Sequence, residues 1–360
     1  MGRPRCRAVT GIAGRQGDAA ERTMIMTRRN LLLAGALPVA LLIVAGYVRL
    51  DAGSVTMLLC GFVLLVGGAE SLVRGAIVIS RRLGLSSMLV GLTIVAFGTS
   101  LPELAAGIQT AIEDKPEINV GNVIGSNIAN VGLILGVTAM VYPVTCRLTV
   151  LRREVPFMIL VSGLGYVVLR DGLVSRIEAS LLIALVLAFV VSSYLMDKGE
   201  GQPESKIGGT GRWWIGPMFV ALGLVALAIG AKLLVSATQA IAIELGMPAV
   251  VVSLTVVALG TSLPELATCV IAALRRELDL VVGNVLGSNI FNILFVLGVS
   301  AQIRPIRVPE SVIHRDVFVM MGFAVICFPM MRSRGELTRL EGLLLFAVYL
   351  VYIVMVFGLG

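Results

Sequence analysis

Gly91-Leu-Thr-Ile-Val-Ala-Phe-Gly-Thr-Ser-Leu-Pro-Glu103, continued by Gly121-Asn-Val-Ile-Gly-Ser-Asn-Ile-Ala-Asn130, is written twice in this chain. The second copy is Ser253-Leu-Thr-Val-Val-Ala-Leu-Gly-Thr-Ser-Leu-Pro-Glu265, continued by Gly283-Asn-Val-Leu-Gly-Ser-Asn-Ile-Phe-Asn292. Glu103 and Glu265, Gly121 and Gly283, and Asn130 and Asn292 are each 162 residues apart, so no insertion separates the two motifs in either copy. Each copy sets a carboxylate inside an apolar run. An acid near the bilayer centre costs about 2.5–3.5 kcal/mol on biological insertion scales, so two at equivalent positions imply a function.

The surrounding chain supplies the bilayer. Of its 360 residues 57% are apolar and 14% charged, with a mean hydropathy of +0.96, which is the composition of an all-α polytopic membrane protein. Strand-type alternation is absent, which argues against a barrel. The 40 glycines suit helices that touch through small residues, because lipid provides no hydrophobic drive between helices. The formal charge of +7 is concentrated in short connections, so it reads as a topology signal and not as a nucleic-acid surface. Five scattered cysteines without a CxxC pair, and the single His314, argue against zinc, iron-sulfur or haem, and no cofactor is expected.

Taken in order, residues 1–30 are a basic tail with seven arginines. An extra apolar helix follows at 31–53. The paired Arg28-Arg29 reads as a positive-inside anchor for it in preference to a twin-arginine export signal, and Met24 or Met26 are alternative starts. Ten further apolar segments are expected at Val55–Ile79, Leu89–Ile112, Val120–Val141, Val155–Leu169, Ile177–Leu195, Trp213–Leu234, Ala249–Ala273, Val281–Ile303, Val312–Met331 and Leu343–Phe357. A polar, glycine-rich linker at 197–212 divides a first repeat at 54–196 from a second at 213–360. Five spans separate the two glutamates, which turns the second copy upside down and makes a 5+5 inverted-topology repeat. With the amino terminus inside, 20 of the 29 Lys and Arg fall in inner segments and seven in outer ones. That bias makes the tail and linker cytoplasmic and puts the carboxyl terminus outside.

The donors near the two glutamates are all hard oxygens. Pro102 and Pro264 are expected to free carbonyls near Ala96, Thr99, Ala258 and Thr261, because proline gives up a helical hydrogen bond. Beside them stand the hydroxyls of Thr99, Ser100, Thr261 and Ser262 and the amide oxygens of Asn130 and Asn292. Calcium takes six to eight such ligands and sodium accepts similar groups, whereas soft metals find none here. Glycines four apart, at 121/125, 132/136 and 283/287, read as helix contacts. Ser126, Ser288, Asn130 and Asn292 read either as ion ligands or as interhelical hydrogen-bonding groups, since polar groups in a bilayer need partners. Glu70 and Arg74, one turn apart, read as a pair; Lys232, at the place of Glu70 in the second copy, reads as a snorkelling lysine.

These blocks resemble the two alpha repeats of the sodium/calcium exchanger family, in the compact prokaryotic form of the cation/Ca2+ antiporters. The resemblance covers about Val55 to the carboxyl terminus. It implies a ten-helix inverted-repeat antiporter working by alternating access, with Glu103 and Glu265 as central carboxylates shared by Ca2+ and Na+. It further implies that Thr99, Ser100, Thr261, Ser262 and the carbonyls of Ala96 and Ala258 line the ion sites, that Ser126 and Ser288 add hydroxyls, and that Asn130 and Asn292 complete the centre. The helices from Val55 and Trp213 would be a sliding pair. Some relatives carry an acid where this chain has Asn292, and in potassium-dependent members that acid is tied to K+ use. The helix at 31–53 lies outside the family core, and the linker has no room for a regulatory Ca2+-binding domain.

The expected function is therefore Ca2+/Na+ exchange in the inner (plasma) membrane by a monomeric transport unit that is not an enzyme, with the two ions as substrates, the lipid bilayer as partner and no nucleic acid. Ca2+/H+ exchange through the same two glutamates is the alternative. An intramembrane hydrolase built on Gly98-Thr-Ser100 lacks a general base, and a channel fits a midplane inverted-repeat site poorly.

Overall fold

A computed structural model of the chain describes residues 51–199, 214–245 and 260–358. Nearly all of the expected extra helix, most of the linker and the start of the second repeat block, Ala258 included, lie outside these residues.

The described chain is helical throughout its spans. In order it runs α1 (Ala52–Leu83), α2 (Ser87–Val90), a π-helical turn (Gly91–Val95), α3 (Ala96–Thr99), α4 (Leu101–Ile112), α5 (Pro116–Ala129), a π turn (Asn130–Leu135) and α6 (Gly136–Val141). Then come β1 (Val144–Thr145), α7 (Leu148–Leu169), β2 (Leu173–Val174), α8 (Arg176–Gly199) and α9 (Ile215–Glu244). The remainder is α10 (Leu263–Leu274), α11 (Leu278–Phe291), a π turn (Asn292–Val296), α12 (Leu297–Ile303), β3 (Ile306–Arg307), a π turn (Val312–Asp316), α13 (Val317–Arg334), β4 (Glu336–Leu337) and α14 (Arg339–Gly358). Among the described residues, eight helical stretches are long and apolar enough to cross a membrane.

Helix ends follow local chemistry. Asp51 caps α1 by accepting the Ser54 amide at 2.9 Å, and Gly84, at φ 64°, closes it after Arg81 and Arg82 in the last turn. Helix α7 starts at Leu148, seven residues ahead of the expected Val155. Arg152, Arg153 and Glu154 depress the hydropathy there, yet Glu154 is buried and pairs with Arg153 at 2.6 Å. Helix α9 runs ten residues past the expected Leu234, to Glu244.

Glycines set how the helices meet. Antiparallel α1 and α9 share a seam in which Gly61 faces Gly230, Gly68 faces Gly223 and Gly75 faces Gly216. A methyl built on Gly68 would fall 2.8 Å from the Leu227 nitrogen, and one on Gly223 would fall 2.6 Å from the Leu72 nitrogen, so backbone meets backbone along the whole contact. At the centre, a methyl on Gly283 would meet the Met88 carbonyl at 2.6 Å, and one on Gly91 the Leu280 carbonyl at 2.8 Å. The Leu278–Ile303 stretch is almost wholly enclosed, whereas α1 and α9 lie at the periphery.

Two short antiparallel ribbons tie the ends. β1 pairs with β4, Val144 opposite Leu337, and β2 pairs with β3, Val174 opposite Ile306. The first ribbon shares its end of the bundle with the start of α11, through Arg147–Asp279 at 2.5 Å. The second shares its end with the α4–α5 turn, through Arg304–Asp114 at 2.7 Å.

Candidate functional site

Both copies of the block break their helix at one place. Ser100 has φ −82° and ψ 3°, Ser262 has φ −90° and ψ 1°, and a new helix starts after each, with Pro102 or Pro264 in its first turn. The prolines thus begin helices and do not kink them, since the first turn needs no amide there. The Ala96 carbonyl, expected to be freed, accepts the Ser100 amide at 3.0 Å and the Thr99 hydroxyl at 3.4 Å. Counting back four residues from Pro102, the carbonyl that loses its helical partner is that of Gly98.

Ser-Leu-Pro-Glu at a helix start has the spacing of a capping box, in which Ser and Glu satisfy each other's backbone amides. Neither serine caps by its side chain. Their hydroxyls, one Glu103 oxygen and both Glu265 oxygens are buried without a hydrogen-bond partner. The spacing places the carboxylates where the helix dipole favours an anion, while three of their four oxygens stay uncommitted among the described residues.

The halves interleave here. Glu103 and Glu265, 1% and 2% exposed, lie close enough to sense each other's charge. Thr261 of the second copy stands beside Glu103, and Thr99 of the first stands beside Glu265. Ser126 donates to Glu103 at 3.5 Å. Thr99 also reaches the Asn284 side-chain oxygen at 3.3 Å, and Thr261 that of Asn122 at 3.4 Å. Asn122 and Asn284 escaped the sequence reading, although they recur at the same 162-residue spacing one turn ahead of Ser126 and Ser288. Asn130 and Asn292 each open a π turn, a local distortion frequent at functional sites. Ser288 and Asn292 are buried with their side-chain polar atoms unpartnered, as is the Asn130 amide nitrogen.

A buried polar group without a partner costs about 1–3 kcal/mol, and several occur together here. Among the described residues no three of His, Cys, Asp and Glu gather at one point. The donor set is therefore two carboxylates surrounded by neutral oxygens, which suits a hard cation held reversibly. A cavity of about 510 Å³ reaches the centre between α9 and α4, lined by Thr99, Pro102, Lys232 and Thr261 among others.

The family profile described as "Sodium/calcium exchanger protein" matches residues 53–195 and 215–358. The chain is 36% identical to CaxA of Alkalimonas amylolytica, over 83% of this chain and 97% of that protein. It is 34% identical to the sodium/calcium exchanger MaX1 of Methanosarcina acetivorans, over 84% and 97%. Among solved structures it is similar to the sodium-calcium exchanger NCX_Mj soaked with Na+ and Sr2+, with a TM-score of 0.75 and 28% identity over 84% of this chain and 98% of that one.

Proposed function

The chain belongs to the sodium/calcium exchanger family, and from that premise we propose that it exchanges Ca2+ for Na+ by alternating access, with Glu103 and Glu265 as the shared charge of the transport site. The observation that carries this reading is the pair of buried carboxylates at equivalent helix starts, three of whose four oxygens have no hydrogen-bond partner among the described residues. Two negative charges are neutralised by one Ca2+ or by a small number of Na+, but not by both at once. That exclusion is the physical basis of antiport.

Around the pair, Thr99, Thr261, Ser100, Ser262, Ser126 and Ser288 offer hydroxyls, Asn130 and Asn292 amide oxygens, and Ala96 and Ala258 carbonyls. The Ala96 oxygen keeps a second lone pair beyond its helical bond. An amide at Asn292 in place of an acid argues against K+ as a coupling ion. Membership makes the protein a multi-pass membrane transporter. The finer architecture is our reading: a 5+5 inverted repeat over 54–196 and 213–360, the extra helix at 31–53, a cytoplasmic tail and linker, an outward carboxyl terminus, an inner-membrane location and a monomeric unit. The equal spacing of the motifs, the charge bias and the matched ribbons support it.

Ca2+/H+ exchange is the second reading, favoured by one observation: neither Glu265 oxygen has a hydrogen-bond partner among the described residues, which suits a protonated carboxyl as well as a cation-bound one. Radioactive calcium flux in proteoliposomes under imposed Na+, K+ and H+ gradients separates the two. The first expects uptake driven by an opposed Na+ gradient; uptake driven by a pH gradient and indifferent to Na+ would replace it with the second.

A further inference from the structure

Glu70 on α1 bridges to the core. Its carboxylate accepts Arg74 Nε on its own helix at 2.6 Å and Arg275 Nε, at the end of α10, also at 2.6 Å. This joins the α1–α9 pair to one end of the bundle, and α1 packs along α10 accordingly. The 162-residue spacing carries Glu70 onto Lys232 of α9 and Arg275 onto Glu113, at the end of α4, so the equivalent pair, again one residue from each copy, has its charges exchanged.

The second pair is apart. Lys232 is exposed on the wall of the cavity, among Leu101, Pro102 and Ala105, and makes no ion pair with any described residue. Among the described residues Glu113 accepts only the Gln109 amide, at 2.8 Å, one turn back. It also caps the carboxyl end of α4, where the helix dipole disfavours an anion that has no cation beside it. Its neighbour Asp114 is already engaged by Arg304. Contact between α9 and α4 is sparse where α1 and α10 pack closely, so the pair sits against one end of the core and away from the other.

We propose that Lys232 and Glu113 form an ion pair in the opposite state of the transporter, as Glu70 and Arg275 do in this one, so that two ionic latches alternate as α1 and α9 move together. Ala105, which shares the cavity wall with Lys232, is eight residues before Glu113, about 12 Å at 1.5 Å per residue, part of which the lysine side chain itself spans. The proposal rests on the alternating-access reading above and adds the residues that hold each end state.

The test is a charge-exchange cycle on the full chain: Lys232→Glu, Glu113→Lys and the double exchange, each assayed for equilibrium Ca2+ binding in detergent and for Na+-driven Ca2+ flux in proteoliposomes. Each single variant should retain Ca2+ binding and exchange Ca2+ about fivefold more slowly, and the double should return to within about twofold of the parent. A cysteine-free chain carrying Lys232→Cys and Glu113→Cys should cross-link under a short thiol reagent, and more fully when Glu70→Ala opens the other latch. Single variants that exchange at the parental rate, a double that stays impaired, Ca2+ binding lost in the singles, or no cross-link would each overturn the latch. Failure of the parent chain to bind Ca2+ would sink the transport reading instead, and the cross-link would still judge the motion.

Discussion

At the scale of single residues, the site is defined by polar atoms left over after folding. Glu103→Gln and Glu265→Gln keep shape and remove charge. Each should leave the protein folded and weaken Ca2+ binding on the order of a hundredfold, a loss of about 2.8 kcal/mol, measured by calcium titration and vesicle flux. Ser288→Ala separates ligand from scaffold: its hydroxyl has no protein partner, so thermal stability should hold or rise while the Na+ concentration needed for exchange increases. Asn292→Asp adds an acid on the π turn that packs against α4 and should change the ion preference in competition flux with K+, Na+ and H+, without abolishing transport. Most of the candidate site was legible because its motifs are written twice; repetition singled out Glu103, Thr99 and Asn130 from the other polar residues in apolar runs. Asn122 was missed because an asparagine beside a glycine reads first as helix packing, and the engaged Ala96 carbonyl because proline was read as a kink and not as a helix start.

At the scale of elements, backbone contact does the packing. Gly68→Leu or Gly223→Leu forces a side chain into the facing backbone and should cost about 1–3 kcal/mol, seen as a lower unfolding temperature in detergent and as lost flux. Hydropathy located the helices, since a span must be apolar over about 20 residues. It misplaced the start of α7, because a window average treats Arg152, Arg153 and Glu154 as a loop when Glu154 is in fact buried against Arg153. The seam at 61, 68, 75 and 216, 223, 230 was present as a seven-residue spacing but hidden among 40 glycines. Partner choice between helices is a property of three dimensions, and one strand of letters carries it weakly.

At the scale of the whole molecule, handedness with respect to the bilayer is set by arginine and lysine. A carboxyl-terminal alkaline phosphatase fusion should be active and a green fluorescent protein fusion dark, since that end is expected outside; the reverse pattern would invert the topology. The glycine seam reaches this scale too. With backbone against backbone at three levels, α1 cannot creep past α9, so under the proposed alternating access a displacement that uncovers one entrance would carry the other shut in the same stroke. Freedom from slippage is then a matter of joinery and not of ion affinity, and bulk introduced at Gly61 or Gly230 should appear first as sodium leaking through with no calcium returned.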